Sequence, residues 1–177
     1  NLSFNLLSDV IPLSIGALDD LRYLFLNNNS ISGELPIELF QLNNLRYLWL
    51  SSNQIEGYIP SEIMELTSLQ QLFMSHNNLS GLIPNGICDL SVDWDGQEDI
   101  GLTNFNISNN GLCPPFPSCL EGVVGYQDTS NCSGMVNRYE TDPVLNGFTL
   151  YDAFPNPFNP VISLSYGIHI AQMVEVL

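Results

Sequence analysis

Apolar residues recur along the first half of the chain with a fixed step of 24 residues. The clearest segments read LRYLFLNNNSISGELP (21–36), LRYLWLSSNQIEGYIP (45–60) and LQQLFMSHNNLSGLIP (69–84). Leu24 and Leu26 alternate with outward positions, which predicts a short strand with one buried face. Each return segment continues with two apolar residues three apart, which favours a short 3₁₀ or α turn. Every period therefore predicts one strand and one helical turn.

An asparagine follows each predicted strand and recurs with the same 24-residue period. The last one comes 33 residues after its predecessor, because nine extra residues are inserted within 91–100. A buried asparagine amide can bond backbone groups of its own coil and of the next one, which would otherwise be left unpaired at a tight turn. We therefore predict a structural ladder of asparagines: Asn5, Asn29, Asn53, Asn77 and Asn110.

The pattern L-x-x-L-x-L-x-x-N with this period resembles that of leucine-rich repeat proteins. The segments ISGELP, IEGYIP and LSGLIP resemble the L-x-G-x-I-P signature of the plant-type repeats. The resemblance implies a solenoid with short parallel strands on its concave face, 3₁₀ or helical turns on its convex face and a second small sheet at the side. Asp9 departs from the signature, because it stands where later coils have a glycine, and its side strand is expected to be irregular.

Four segments follow one another along the chain. Residues 1–112 contain about five repeat coils with the insertion at 91–100, and residues 113–132 form a Cys/Pro-rich C-terminal cap. Terminal coils need such a cap, because their last apolar layer has no neighbour. Residues 133–147 are polar with Gly and Pro and are expected to form a linker before 148–177. The chain opens inside a coil, so we expect further repeats before it.

The final segment of the chain resembles a second protein family. Its core, FPNPFNPVISLSYGI (154–168), resembles the opening of the type A C-terminal sorting domain of the bacterial type IX secretion system. That resemblance implies a β-sandwich that is truncated here and recognition of residues 148–177 by the secretion machinery. It also implies a Bacteroidetes-like source and a location outside the cell or on the outer surface of a Gram-negative bacterium.

Charge excludes several classes of partner. The chain has 19 Asp and Glu residues against 3 basic ones, a net charge of −16. Nucleic acid and anionic membrane surfaces are excluded as partners, because binding phosphate needs clustered Lys and Arg. Membrane insertion is not expected, since no apolar run approaches the ~20 residues of a span.

No cofactor, metal site or catalytic residue is expected. His76 and His169 are the two histidines, and Ser75 next to His76 cannot act with it as a nucleophile–base pair, because adjacent side chains diverge. The acidic segment 93–99 lacks the residue order of a calcium loop, so a solvated loop is favoured over a calcium site.

The four cysteines indicate disulfides and an oxidising compartment, because they lack the C-x-x-C spacing of a metal site. Four cysteines allow three pairings. We expect Cys119–Cys132 to close the cap loop and Cys88–Cys113 to tie the last regular coil to the cap.

The strand positions that face outward supply the candidate ligand-binding site. Stacked at the repeat period, they form columns of aromatic and amide side chains that contain none of the acidic residues. Contiguous exposed aromatic residues mark interaction surfaces, although cross-strand pairing alone is the alternative explanation. The candidate residues are Tyr23, Phe25, Tyr47, Trp49, Gln71, Phe73, His76 and Asn106.

Taken together, these patterns predict a non-enzymatic, secreted or surface-attached module that recognises a protein or peptide on its concave face. The alternatives are carbohydrate binding, a targeting arm of a larger secreted enzyme and a structural adhesion spacer.

Overall fold

The computed structural model describes residues 1–94 and 104–132, and the backbone of four strands beyond them. The chain divides into two units, Asn1–Val136 and Asn137–Leu177, which are described separately. The insertion from 95 onward, the linker at 133–147 and His169 lie outside the described residues.

The first unit contains two parallel sheets, and successive strands alternate between them. The concave sheet has the order β2-β4-β6-β8, and the side sheet has the order β1-β3-β5-β7-β9. In chain order the strands are β1 (Ser8–Asp9), β2 (Tyr23–Phe25), β3 (Ser30–Glu34), β4 (Tyr47–Trp49), β5 (Gln54–Gly57), β6 (Gln71–Phe73), β7 (Asn78–Leu82), β8 (Phe105–Asn106) and β9 (Gly111–Cys113).

Short 3₁₀ helices form the convex side. A proline precedes each of them, and its carbonyl accepts the first bond of the turn, as Pro36 does from the Leu39 N–H at 3.0 Å. Proline suits this place because its ring fixes φ and its own missing N–H is not needed there. The helices are Leu13–Ala17, Ile37–Gln41, Ser61–Glu65, Asn85–Asp89 and Ser118–Leu120. The predicted solenoid, with parallel strands and short 3₁₀ turns, is confirmed.

A single apolar core runs along the stack of coils. Leu48 and Leu72, the inward residues of neighbouring concave strands, are fully buried, and so are Leu39 and Leu42 beneath the convex turn. Each coil therefore covers the core layer of the next, and the strands of the concave sheet keep a fixed register.

Hydrogen bonds from the ladder asparagines hold successive coils together. The Asn53 amide donates to the carbonyls of Leu50 at 2.9 Å and Leu26 at 3.0 Å, and its Oδ1 accepts from the Ile31 N–H at 3.0 Å. Asn29, Asn77 and Asn110 make the equivalent bonds. Asn5 bonds carbonyls of its own coil, those of Leu2 and Ser3.

The residue before each of these asparagines has a left-handed backbone. Asn28 has a φ of 57°, Ser52 of 59° and His76 of 55°, a conformation that costs energy for most L-residues. This turn directs the following asparagine into the coil, so each side-chain bond to the neighbouring coil depends on it. That neighbour is the preceding coil and not the next one, as the sequence had suggested.

A glutamine in the cap ends the ladder. Gln127 Nε2 donates to the carbonyls of Ile107 at 3.0 Å and Val124 at 3.2 Å, while its Oε1 accepts from the Leu112 N–H at 3.2 Å. These are the bonds that an asparagine makes in the regular coils. The sequence analysis missed this residue, although Val124-x-x-Gln127 repeats the spacing L-x-x-N with a longer amide.

The disulfides differ from the expected pairing. Cys88 pairs with Cys119, and Cys113 pairs with Cys132, so both Cys88–Cys113 and Cys119–Cys132 were wrong. Cys88 lies in the fourth convex helix and Cys119 in the helix that stacks on it, whereas Cys113 ends the side strand β9. The expectation followed order along the chain, whereas Cys88–Cys119 joins two stacked helices and Cys113–Cys132 joins the end of β9 to the end of the cap.

The side sheet begins with the irregular coil that the sequence indicated. Strand β1 has two residues, and Asp9 takes a φ of 79°, the region occupied by Gly33, Gly57 and Gly81 in later coils. An Asp side chain tolerates this region better than most, and its Oδ1 accepts the Val10 N–H at 2.9 Å.

The second unit contains four strands with antiparallel pairing. Strand β12 lies in the middle and pairs with each of the others. The strands are β10 (Thr149–Leu150), β11 (Phe154–Pro155), β12 (Ile162–Ile168) and β13 (Gln172–Val176).

Replacing a ladder asparagine should destabilise the first unit. We expect Asn53→Ala to lower the free energy of unfolding by about 1–3 kcal/mol, because it leaves one N–H and two carbonyls without their partner. Asn43→Ala is the control: Asn43 is exposed, its side chain makes no hydrogen bond within the described residues, and a change within about 0.5 kcal/mol is expected. Chemical denaturation measures both, and equal losses would contradict the ladder.

The disulfide pairing can be tested by counting thiols, without peptide mapping. Under denaturing, non-reducing conditions Cys88→Ser/Cys119→Ser should titrate with no free thiol, because the Cys113–Cys132 bond is kept. Cys88→Ser/Cys113→Ser breaks both bonds and should expose two thiols. The reverse result would support the pairing expected from the sequence.

Candidate ligand-binding face

The concave sheet aligns the candidate residues in two columns. Tyr23 pairs with Tyr47, and Tyr47 with Gln71, in the parallel register of β2, β4 and β6. Between the two columns lie Leu24, Leu48 and Leu72, whose side chains point into the core. The second column contains Phe25, Trp49, Phe73 and Asn106.

The aromatic rings of these columns form one continuous cluster. Trp49 lies at its centre, with ring centroids 4.6 Å from Phe25 and 5.3 Å from Phe73, both in edge-to-face geometry. Tyr23 and Tyr47 make the same kind of contact at 5.0 Å. Tyr23 is 46% exposed and the other four rings are half-buried, so the cluster presents both ring surface and polar tips to solvent.

A chain of side-chain hydrogen bonds orients the tryptophan. Trp49 Nε1 donates to Gln71 Oε1 at 3.1 Å, and Gln71 Nε2 donates to Asn104 Oδ1 at 3.2 Å. Because the indole N–H can only donate, the Gln71 oxygen must face Trp49 and its nitrogen must face Asn104. This bond orients the plane of the indole ring. The face is therefore aromatic over β2 and β4 and becomes rich in amides toward β8.

A row of small polar residues borders the aromatic cluster. Ser75 is buried, and its Oγ donates to Ser51 Oγ at 3.0 Å, while Asn106 Oδ1 accepts from both Ser108 Oγ at 2.7 Å and Ser108 N at 3.0 Å. The Ser75 hydroxyl thus bonds another serine and not His76. His76 is exposed at the left-handed turn beyond the strand, at the margin of the face.

The face carries no acidic side chain, although the chain as a whole is strongly acidic. Its columns contain no Asp or Glu, and two of the three basic residues in the sequence, Arg22 and Arg46, directly precede Tyr23 and Tyr47. Both arginines are exposed, and their backbones stack through the bond from Arg46 N to the Arg22 carbonyl at 2.8 Å. The sequence analysis did not single them out, although they share the step of 24.

Within the described residues, no three His, Cys, Asp or Glu side chains come together as a metal site. Asp93 is described and exposed, whereas the rest of the acidic segment lies outside the described residues. No helix within the described part of the chain is both long enough and apolar enough to cross a bilayer.

Comparisons with known proteins identify the repeats. Leucine-rich repeat families, described as "Leucine rich repeat" and "Leucine Rich Repeat", match residues 33–79 and 20–42. A comparison with curated proteins gave no match. Residues 20–79 therefore carry leucine-rich repeats, and the first unit is a leucine-rich repeat solenoid.

Solved plant structures share this fold. The complex of BIR3 and SERK2 from Arabidopsis thaliana contains a chain that is 30% identical, with a TM-score of 0.61, over 72% of this chain and 65% of that one. The plant peptide hormone receptor RGFR1 in complex with RGF2 is 34% identical, with a TM-score of 0.57, over 68% of this chain and 18% of that one.

The Arabidopsis receptor kinase HAESA, in complex with the peptide hormone IDA and the co-receptor SERK1, is also 34% identical. Its TM-score is 0.56, over 64% of this chain and 17% of that one. This chain spans less than two thirds of each of these proteins.

Removing the acceptor of the indole should change the environment of Trp49 and little else. In Gln71→Leu we expect the Trp49 indole N–H resonance to shift, while that of Trp94 stays in place, and the free energy of unfolding to fall by about 1 kcal/mol or less. Gln70→Leu, one residue earlier and exposed, is the matched control. An unmoved Trp49 resonance would show that the bond is absent in solution.

Proposed function

We propose that this chain is an extracellular, non-enzymatic recognition module that binds a protein or peptide on its concave face. The observation that carries the proposal is the half-exposed aromatic cluster centred on Trp49, which lies among amide and hydroxyl side chains without any acidic residue. Aromatic residues combined with Ser and Asn give contact area and adaptable hydrogen bonding at low entropic cost.

The fold and its relatives support this assignment. Several of the solved structures are complexes with a peptide or protein partner, among them RGFR1 with RGF2 and BIR3 with SERK2. Parallel strands held in register by a buried core give a rigid platform, and a preorganised surface loses less entropy on binding. The candidate set stays as the sequence analysis proposed it, with Trp49 at the centre and His76 at the margin.

A carbohydrate is the second candidate ligand. Rings such as Trp49 and Tyr47 offer flat apolar surface to a sugar, and the amides of Gln71, Asn104 and Asn106 can bond hydroxyls. A targeting arm for a secreted enzyme would use the same face, whereas an adhesion spacer would not need it.

Export is part of the proposal. Two disulfides favour an oxidising compartment, and the FPNPFNP segment resembles a type IX sorting signal. We infer that residues 148–177 are recognised by that secretion machinery, in a Gram-negative bacterium. In a host with this system, replacing 154–160 should stop the full chain from reaching the medium or the outer surface. Unchanged export would contradict this assignment.

Truncating the central tryptophan should abolish most binding. A random peptide library and a glycan array are screened against the full chain, and each hit is measured against Trp49→Ala. We expect a loss of about 2 kcal/mol or more in binding free energy, roughly thirty-fold in Kd, as at a hot spot. Stability should change little, because the ring lies outside the core.

Tyr126→Ala is the control for an exposed aromatic residue elsewhere, since Tyr126 is 70% exposed in the cap. Peptide hits that lose affinity only in Trp49→Ala support the proposal, and glycan hits with the same dependence support the second candidate. Hits that bind Trp49→Ala as well as the wild type contradict a concave site.

A further inference from the structure

A second concave feature lies on the side sheet, away from the aromatic cluster. It is a groove of about 270 Å³ between the second and third complete coils. Buried Leu35 and Pro60 form its apolar base, and exposed Ile37 and Tyr58 stand beside them, at 51% and 63% exposure. The remaining lining residues are Glu34, Ser61 and Glu62.

The repeat geometry fixes one carboxylate over this groove. Gly57 has a φ of 80°, and a Cβ there would lie 2.9 Å from Glu34 Cγ and 3.4 Å from Glu34 Oε1. The Glu34 side chain therefore extends over Gly57 of the next coil, and it lines the same groove as Tyr58. The conformation and the missing side chain of Gly57 make this approach feasible.

A second carboxylate approaches from the convex side. Glu62 is half-buried at the start of the helix Ser61–Glu65, and its Oε2 accepts the Ser61 hydroxyl at 3.2 Å. Glu56 adds further negative charge, because it is the register partner of Glu34 in the side sheet. None of the lining residues is basic. Two carboxylates that line one groove repel each other, and a cation between them relieves the repulsion.

We propose that this groove binds an arginine or lysine side chain presented by a partner protein. The alkyl stem would pack on Ile37 and Pro60, and the charged end would lie between the carboxylates of Glu34 and Glu62, near the face of the Tyr58 ring. The groove suits both parts of such a side chain, because the alkyl part packs on apolar surface and the charged end binds carboxylates and the faces of aromatic rings. The chain's net charge of −16 would attract a basic partner from a distance.

The neighbouring coils provide an internal comparison. One coil further along, the positions of Glu34 and Tyr58 are occupied by Tyr58 and Leu82. The positions of Ile37 and Ser61 at the helix starts are occupied by Ser61 and Asn85. The next groove lacks both carboxylates, so the repeat itself does not create the acidic groove. A metal is a poorer match, because no cluster of three His, Cys, Asp or Glu ligands exists within the described residues.

The test uses the peptide acetyl-Gly-Arg-Gly-amide as the probe and its citrulline analogue as an uncharged control of the same shape. The full chain is labelled with fluorotyrosine, and the Tyr58 signal is assigned by its loss in Tyr58→Phe. We expect the arginine peptide to shift that signal and the citrulline peptide to leave it unmoved. In Glu34→Gln/Glu62→Gln the Kd should rise about five- to ten-fold, since both carboxylates that would pair with the arginine are lost.

Glu121→Gln in the cap removes an exposed charge without touching the groove, and its Kd should match the wild type. Equal binding of the citrulline peptide, equal weakening in Glu121→Gln, or displacement by an equal concentration of calcium would overturn the proposal. Tyr47 and Tyr23 report on the concave face in the same spectrum. Shifts confined to them would also overturn it, while leaving the proposed concave site intact.

Discussion

The hydrogen bonds of the ladder asparagine side chains are the constraint on which the rest of this structure depends. Each amide joins two carbonyls of neighbouring coils, and each Oδ1 accepts a backbone N–H of the side strand, as Asn53 does for Leu26, Leu50 and Ile31. A tight coil cannot satisfy these groups by itself, and leaving them unpaired would cost about 1–3 kcal/mol per coil. The side chain that satisfies them also fixes the position of one coil on the next.

The functional surfaces follow from that fixed stacking. Residues 24 apart in sequence become neighbours in space, so one aromatic residue per coil produces the contact between Phe25, Trp49 and Phe73. The side sheet pairs residues 22 apart, such as Glu34 with Glu56, and this register brings Glu34 against Gly57. Charge is separated between the two surfaces: the concave columns have no carboxylate, whereas the side groove has two. One repeat thus supports two chemically different surfaces at positions that the core does not use.

Much of this arrangement was predictable from the sequence, because the period itself encodes the neighbours. The strand register from Tyr23 to Gln71 follows directly from the step of 24. The pairing of the cysteines did not, since Cys119 and Cys132 lie beyond the last regular period, where the step no longer says which elements stack. Gln127 was missed for the same reason: the cap reproduces the bonds of the ladder with a longer amide, 17 residues after Asn110 instead of 24. The bond from Trp49 to Gln71 depends on side-chain conformation, which periodicity does not determine.

A partner bound to the concave aromatic face would shield its rings from solvent, and side-chain oxidation by hydroxyl radicals measures that shielding. The chain is compared alone and with a ligand from the peptide library, and the exposed Tyr58 and Tyr126 serve as references on other surfaces. We expect the ligand to protect Trp49, Tyr47 and Phe73 from oxidation and to leave both reference tyrosines unchanged. Protection of Tyr58 or Tyr126, with Trp49 oxidised as fast as in the free chain, would contradict binding at the concave face.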